Sequence, residues 1–349
     1  MRMAFRWFGR GDPVGLDRIR QIPCVTGIVS SLYEVPAGQA WDKAALAALK
    51  AEIEAAGLSF DCVESIPVHE DVKLGLPSRD RYIDAFVKGV EAMGELGIGV
   101  LCYNFMPVFD WTRTQMSLSL PDGSTCLGYE DAALAGLLEG PGAFELPAWA
   151  KAYTKEELRS ALEAYRGVSR EDLWRNLEYF LAAVVPAAER AGVRLAIHPD
   201  DPPWDILGLP RVVVDGPALL RLTASPRSPS NGVTFCTGSL GPEEGNDLPA
   251  MIRSLEGRIP FAHLRNVART GTRDFHETAH ASSAGSLDMW EIVRALHESG
   301  FDGVVRPDHG RMIWGEQGRP GYGLYDRALG AMYLAGLFEA AEKGAPPPA

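Results

Sequence analysis

The chain has 349 residues, with 34 Lys and Arg against 46 Asp and Glu for a net charge of −12. Hydrophobic residues at 46% and charged residues at 23% are ordinary globular values, which excludes global disorder and leaves ample chain for a large core. So acidic a balance argues against wholesale binding to nucleic acid or anionic lipid, and an anionic substrate would need local Arg, Lys or a metal.

Short apolar and β-branched runs predict strands over Met3–Phe8, Val25–Leu32, Phe60–Ser65, Val100–Phe105, Arg194–Pro199, Val233–Gly238, Phe261–Val267 and Val304–Asp308. Helical patterns lie between them at Asp42–Ala56, Arg79–Leu96, Arg170–Ala191, Asn246–Glu256 and Ser286–Ser299. Asp42, Asn246 and Ser286 read as N-caps, and Gly57, Gly97, Gly192, Gly257 and Gly300 fall where helices should stop. Eight strands, each followed by a helix or helical turn, predict an α/β fold: a closed (β/α)₈ TIM barrel forming a single domain over residues 1–349. A doubly wound open sheet is the alternative, but no GxGxxG or GxxxxGK[ST] follows the first strand. From 107 to 167 no clear strand is evident, although a polar helix is predicted around Thr154–Ala164. This stretch reads as an excursion over one barrel mouth after strand four, and 344–349 as a flexible tail.

The five cysteines are odd in number and never form a CxxC pair, which suits a reducing compartment and excludes a disulfide framework or zinc ribbon. Neither a signal-peptide pattern nor a stretch of ~20 apolar residues is present. The expectation is a cytoplasmic protein with no membrane or nucleic-acid partner, assembled as a homodimer or higher homo-oligomer.

In a (β/α)₈ barrel the active site lies at the C-terminal ends of the strands. Reading those ends in order gives Arg6; Glu64 and His69; Tyr103 and Asn104; His198 and Asp200; Cys236; His263, Arg265 and Asn266; then Arg306, Asp308 and His309. His198, Cys236, His263 and Asp308 come from four successive strand ends and can converge on one divalent cation, Mn²⁺, Fe²⁺ or Zn²⁺ rather than Ca²⁺. The string HETAH, from His276 to His280, matches the H-E-x-x-H of zinc peptidases. Its flanks are rich in Gly, Ser and Thr and do not continue an amphipathic helix, so a loop after strand seven offering polar groups to a substrate ranks above a peptidase. The Gly-rich stretch from Arg306 carries four Arg and two Tyr beside the metal set, which favours a carboxylate ligand.

The segments FRWFG, ESIPVHEDVKLGLPSRD, LCYNFMPVFDWTRT, AIHPDDPP, GVTFCTGSLG, FAHLRNV, FHETAHASS, RPDHGRMIWGE and RPGYGLYDRALG resemble those of the D-mannonate dehydratases of the hexuronate pathway. The resemblance runs from the first strand to the last helix. It implies a xylose-isomerase-like barrel and a resident Mn²⁺ or Fe²⁺. It also implies conversion of D-mannonate to 2-dehydro-3-deoxy-D-gluconate with loss of water, as part of glucuronate catabolism. Carried over residue by residue, His198, Cys236, His263 and Asp308 match the family's metal positions, and His309 and Tyr322 its proton-transfer positions. Arg6, His69, Asn104, Arg265, His276 and Arg306 are the expected substrate-binding residues. Which of His309 and Tyr322 is acid and which base stays open. A sugar isomerase or epimerase on the same barrel, and a catalytically silent sugar-acid-binding protein, are the competing readings.

Overall fold

The computed structural model describes residues 1–139 and 154–344. The expected tail falls almost wholly outside this range, as does part of the expected excursion. In chain order the described strands are β1 (Arg2–Arg6), β2 (Gly27–Ser30), β3 (Ser59–Glu64), β4 (Val100–Tyr103), β5 (Gln115–Ser119) and β6 (Thr125–Tyr129). There follow β7 (Arg194–Ile197), β8 (Asn231–Cys236), β9 (Phe261–His263), β10 (Val267–Gly271), β11 (Asp274–Glu277) and β12 (Val304–Arg306). Eight of them close into a barrel in the order β1–β12–β9–β8–β7–β4–β3–β2. All the pairings inside it are parallel. The fold is therefore the expected TIM barrel, and closure excludes the open sheet.

The other four strands form a second sheet, in the order β10–β11–β6–β5. Two expectations are corrected here. The segment 107–167 contains the hairpin β5–β6, and the stretch after strand seven, read as a loop, is the hairpin β10–β11. In each pair one strand, β5 or β10, is far more exposed than a barrel strand. The half-exposed QMSLS of β5 lacks the apolar run that marks a core strand. The two hairpins join through β6 and β11, a pairing between distant segments that no local pattern reveals.

Helices cover the outside of the barrel. Asp42 caps Lys43–Ala55 by accepting from the Ala44 N–H, and Ser169 with Asp172 forms a capping box at the start of Arg170–Ala191. Two other caps lie further in than expected: Asp247 rather than Asn246, and Asp288 rather than Ser286, each carboxylate accepting a backbone N–H. Gly192 ends its helix with φ of 69°, a left-handed conformation that suits glycine. The larger core fills the space between strands and helices, and a smaller one (Ala4, Val29, Cys62, Val100, Cys102, Ala196, Phe261, Val304) fills the barrel itself. Among the described residues no helix is long and apolar enough to cross a membrane.

Candidate active site and metal centre

Successive side chains of a strand point to opposite faces, so the inward apolar layer predicts the layer above it. Two positions beyond Ala4, Cys62, Ala196, Phe261 and Val304 stand Arg6, Glu64, His198, His263 and Arg306. Register sets Cys236 beside His263 and His263 beside Arg306 on neighbouring strands. The barrel interior thus changes from hydrocarbon to ionisable groups within one pleat, at the strand ends where a TIM barrel keeps its chemistry.

Ligand atoms of His198, Cys236 and His263 all lie within 4.8 Å of one another. Asp308 joins them, with Oδ2 3.5 Å from Cys236 Sγ and Oδ1 3.8 Å from His263 Nδ1. His198 Nδ1 lies 2.7 Å from the Pro199 carbonyl oxygen. A carbonyl only accepts, so Nδ1 carries the proton and Nε2 keeps a free lone pair. Burial lowers the pKa of His198, and burial with the Arg306 charge drives His263 down to about 3, so both rings are neutral at pH 7. Burial pushes the Cys236 thiol up, so ligation there must release a proton. Two neutral imidazoles, a thiolate and a carboxylate are a donor set that fits Mn²⁺, Fe²⁺ or Zn²⁺.

Around this cluster runs a buried ionic lattice. Glu64 pairs with Arg6 and, at 3.0 Å, with Arg306; Asp308 pairs with Arg306 at 2.8 Å and Arg265 at 3.0 Å. Asp201 takes Arg113 through both oxygens, at 2.7 and 3.0 Å, and Arg265 at 2.8 Å. Glu277 Oε1 accepts from Arg113 Nη2 at 3.0 Å. Burial alone would raise the Asp308 carboxyl, but Arg265 and Arg306 overcome it and hold the group well below the usual range. Glu277 behaves alike, brought down to about 2 against burial by His309 and Arg265.

His309 connects the lattice to Tyr322. Its Nε2 is 2.9 Å from the Tyr322 hydroxyl and its Nδ1 2.8 Å from Glu277 Oε1. Trp111 lies against the His309 ring, with centroids 4.9 Å apart, and clusters with Leu127 and Tyr322 to form an apolar wall. Burial lowers the His309 pKa, so the ring is neutral at pH 7.

Of the residues expected in the site, Asn104, His198, Arg265, Arg306, Asp308, His309 and Tyr322 line one cleft, and Cys236 and His263 complete the donor cluster beside it. Arg6 meets the cleft through its ion pair with Glu64. Two other expected residues stand away from it. His69 caps the short helix Glu70–Lys73 by accepting from the Asp71 N–H and stacks on Tyr82 at 3.6 Å. His276 alternates away on β11, so its neighbour Glu277 is the buried residue that reaches His309. Because Asp274–Glu277 is a strand, the two His of HETAH do not share a helix face, and a peptidase-type zinc pair is excluded. Sequence reading also left Glu64 unassigned and missed Asp201, Glu277 and Arg113. Asp201 follows His198 closely and Glu277 sits inside a noted motif, but Arg113 arrives on the excursion with no local signal.

The barrel and its cleft define a TIM-barrel protein with a buried ionic site at its strand ends. A family model described as D-mannonate dehydratase (UxuA) matches residues 1–346. Mannonate dehydratase 2 of Halalkalibacterium halodurans is 54% identical over 342 residues, covering 97% of this chain and 99% of that one. The crystal structure of mannonate dehydratase from Streptococcus suis serotype 2 aligns with a TM-score of 0.92 at 47% identity, covering 99% of this chain and 97% of the other. An L-ribulose 3-epimerase aligns with a TM-score of 0.56 at 15% identity over 98% of this chain and 96% of its own, which speaks to the fold alone. The chain belongs to the D-mannonate dehydratase family.

Proposed function

We propose that this chain is a hydro-lyase that converts D-mannonate to 2-dehydro-3-deoxy-D-gluconate and water, a step of glucuronate catabolism in the cytoplasm. Besides family membership, the observation that carries the reading is the hydrogen-bonded His309–Tyr322 pair, 2.9 Å apart beside the four-donor cluster. The C2 proton is removed, C2=C3 forms as the C3–O bond breaks, and the departing oxygen takes a proton to leave as water. The enol so formed tautomerises to the 2-keto acid.

The first step builds enediolate-like charge next to the substrate carboxylate, which preorganised cationic groups stabilise. Arg265 and Arg306 line the cleft and stand ready for this. His198, Cys236, His263 and Asp308 would hold Mn²⁺ or Fe²⁺, which when bound supplies Lewis-acid stabilisation of negative charge on the substrate. Hydroxide is a poor leaving group, so a positioned proton donor is needed at the C3 oxygen. His309 and Tyr322 hold a proton between Nε2 and the phenol oxygen and can receive or deliver it at the substrate face. Trp111 and Leu127 shield that pair from bulk water.

The test is an absorbance assay for 2-keto acid, run on purified protein with Mn²⁺ against D-mannonate and a panel of other aldonates and neutral sugars. Keto acid formed from D-mannonate is the expected result. Bound metal without product would favour the silent sugar-acid-binding protein, and epimer or ketose formed from a neutral sugar would favour the isomerase reading.

A further inference from the structure

The HETAH string is unused by a peptidase mechanism, yet both of its inward groups grip the segment that follows β12. His280 Nε2 meets the Pro307 carbonyl oxygen, and Glu277 Oε1 lies 2.8 Å from His309 Nδ1. These contacts fall on either side of Asp308. We propose that Glu277 is a positioning residue for the dehydration, which fixes the proton on His309 Nδ1 and so turns the Nε2 lone pair toward Tyr322. The proposal rests on the reading of His309 and Tyr322 given above.

The geometry supports it from three directions. First, β11 is hydrogen-bonded on both sides, to β10 through the register Val267↔Glu277 and to β6 through His276↔Gly128, so the backbone bearing the carboxylate is held firmly. Second, the carboxylate is 2% exposed and clamped by Arg113 at 3.0 Å, which is itself anchored on Asp201. Third, the ring nitrogen has one available acceptor. Arg265 Nη1 also meets Nδ1 and pairs with Asp308 at 3.0 Å and Glu277 at 3.4 Å, but a guanidinium only donates and cannot accept a ring proton. An ionised carboxylate only accepts, so the Glu277 contact calls for the proton on Nδ1, which leaves Nε2 to accept from the Tyr322 hydroxyl. Nucleophile-and-base systems on other folds use a third group in this way, and its loss leaves the ring in the wrong tautomer.

The alternative is that Glu277 merely neutralises Arg113 and Arg265. Asp201 already pairs with both guanidinium groups, so removal of the Glu277 charge leaves neither without a buried counter-ion. The two roles separate by kinetics. In Glu277→Gln the amide can turn its NH₂ toward Nδ1 and favour the Nε2–H tautomer. With Mn²⁺ in excess, kcat on D-mannonate should fall by about 10²-fold or more, with KM and bound metal per chain changed less than about threefold. Glu277→Asp should recover part of that loss. In a His309→Asn background the further change E277Q should cost less than about threefold, since groups acting through one another fail together.

A neutralising role predicts the opposite pattern: an equal fold-loss in both backgrounds and a lowered melting temperature, and that result overturns the proposal. An inactive His309→Asn protein beside a fully active Glu277→Gln protein overturns this inference alone. A His309→Asn protein with normal kcat overturns the reading of His309 and the inference together.

Discussion

Replacing Tyr322 by Phe removes one hydroxyl, whose described hydrogen-bond partner is His309 Nε2 at 2.9 Å. The ring stays, and with it the edge contact to Phe8 at 4.7 Å between centroids and the cluster with Trp111 and Leu127. The stability loss is therefore that of one buried hydrogen bond, about 0.5–1.5 kcal/mol. For a chain of 349 residues, unfolding entropy near ~2 cal/mol/K per residue converts this into a fall in Tm of only about 1–2 °C. If the hydroxyl carries a proton in the elimination, its loss should lower kcat by about 10²- to 10⁴-fold, or ~3–5 kcal/mol in the barrier. The rate effect thus exceeds the stability effect severalfold, and the two can be read on one preparation. The assay follows 2-keto acid formation under saturating D-mannonate and Mn²⁺, alongside a thermal melt and a metal determination. Retention of kcat within about tenfold at normal metal content would refute the assignment. So would a large fall in Tm with near-normal turnover in the folded fraction, since Tyr322 would then serve packing.

Cys236→Ser should lower bound metal and activity together while keeping the melting temperature of the metal-free protein, because a serine hydroxyl is a poor substitute for a thiolate donor; normal metal content by elemental analysis would remove Cys236 from the ligand set. In Gly94→Ala the new Cβ would stand 2.4 Å from the Ala191 carbonyl oxygen, wedging helix Arg79–Glu95 from helix Arg170–Ala191. Overpacking of ~1–3 kcal/mol outweighs the ~1 kcal/mol gained in helix propensity, so calorimetry should show a lower Tm with kcat unchanged; an unchanged or higher Tm contradicts the close packing. Glu277 has a folded pKa of about 2 against 4.5 when unperturbed, so on acidification the unfolded chain takes up this proton first. The contribution is complete above pH 4.5 and disappears as pH falls toward 2, which should appear as a declining urea midpoint, and as a shallower decline in Glu277→Gln; equal slopes in the two proteins would count against it.

The sequence revealed the barrel because its signal is local. Each barrel strand is a short apolar run, and each helix announces itself through caps such as Asp42 and the stop at Gly192. The second sheet escaped because β5 and β10 are half-exposed, and because β6 finds β11 across more than a hundred intervening residues. The site divides in the same way. Cys236, His263 and Asp308 could be read from strand ends, where alternation leaves little choice of direction. The partners that organise them could not. Arg113 enters from the excursion and Glu277 from a hairpin whose register decides between it and His276, a one-residue question that spacing alone left on the wrong neighbour. His69 misled because a cap position and a site position look alike in sequence.

The ionic lattice has a consequence for what the cleft can hold. Four guanidinium groups, Arg6, Arg113, Arg265 and Arg306, are set against four carboxylates, Glu64, Asp201, Glu277 and Asp308, and all eight side chains are buried. With both imidazoles of the donor cluster neutral, these eight groups balance one another, and Asp110 on the cleft wall stands outside that count. A divalent cation that arrives as Cys236 gives up its proton would leave a surplus of one positive charge, in a place where isolated charge is expensive. A monoanion cancels that surplus. A neutral hexose would leave it standing, and a dianion would reverse its sign. Preference for a sugar acid over a sugar therefore requires no guanidinium held idle for the carboxylate, because the charge brought by the cation itself favours an anion.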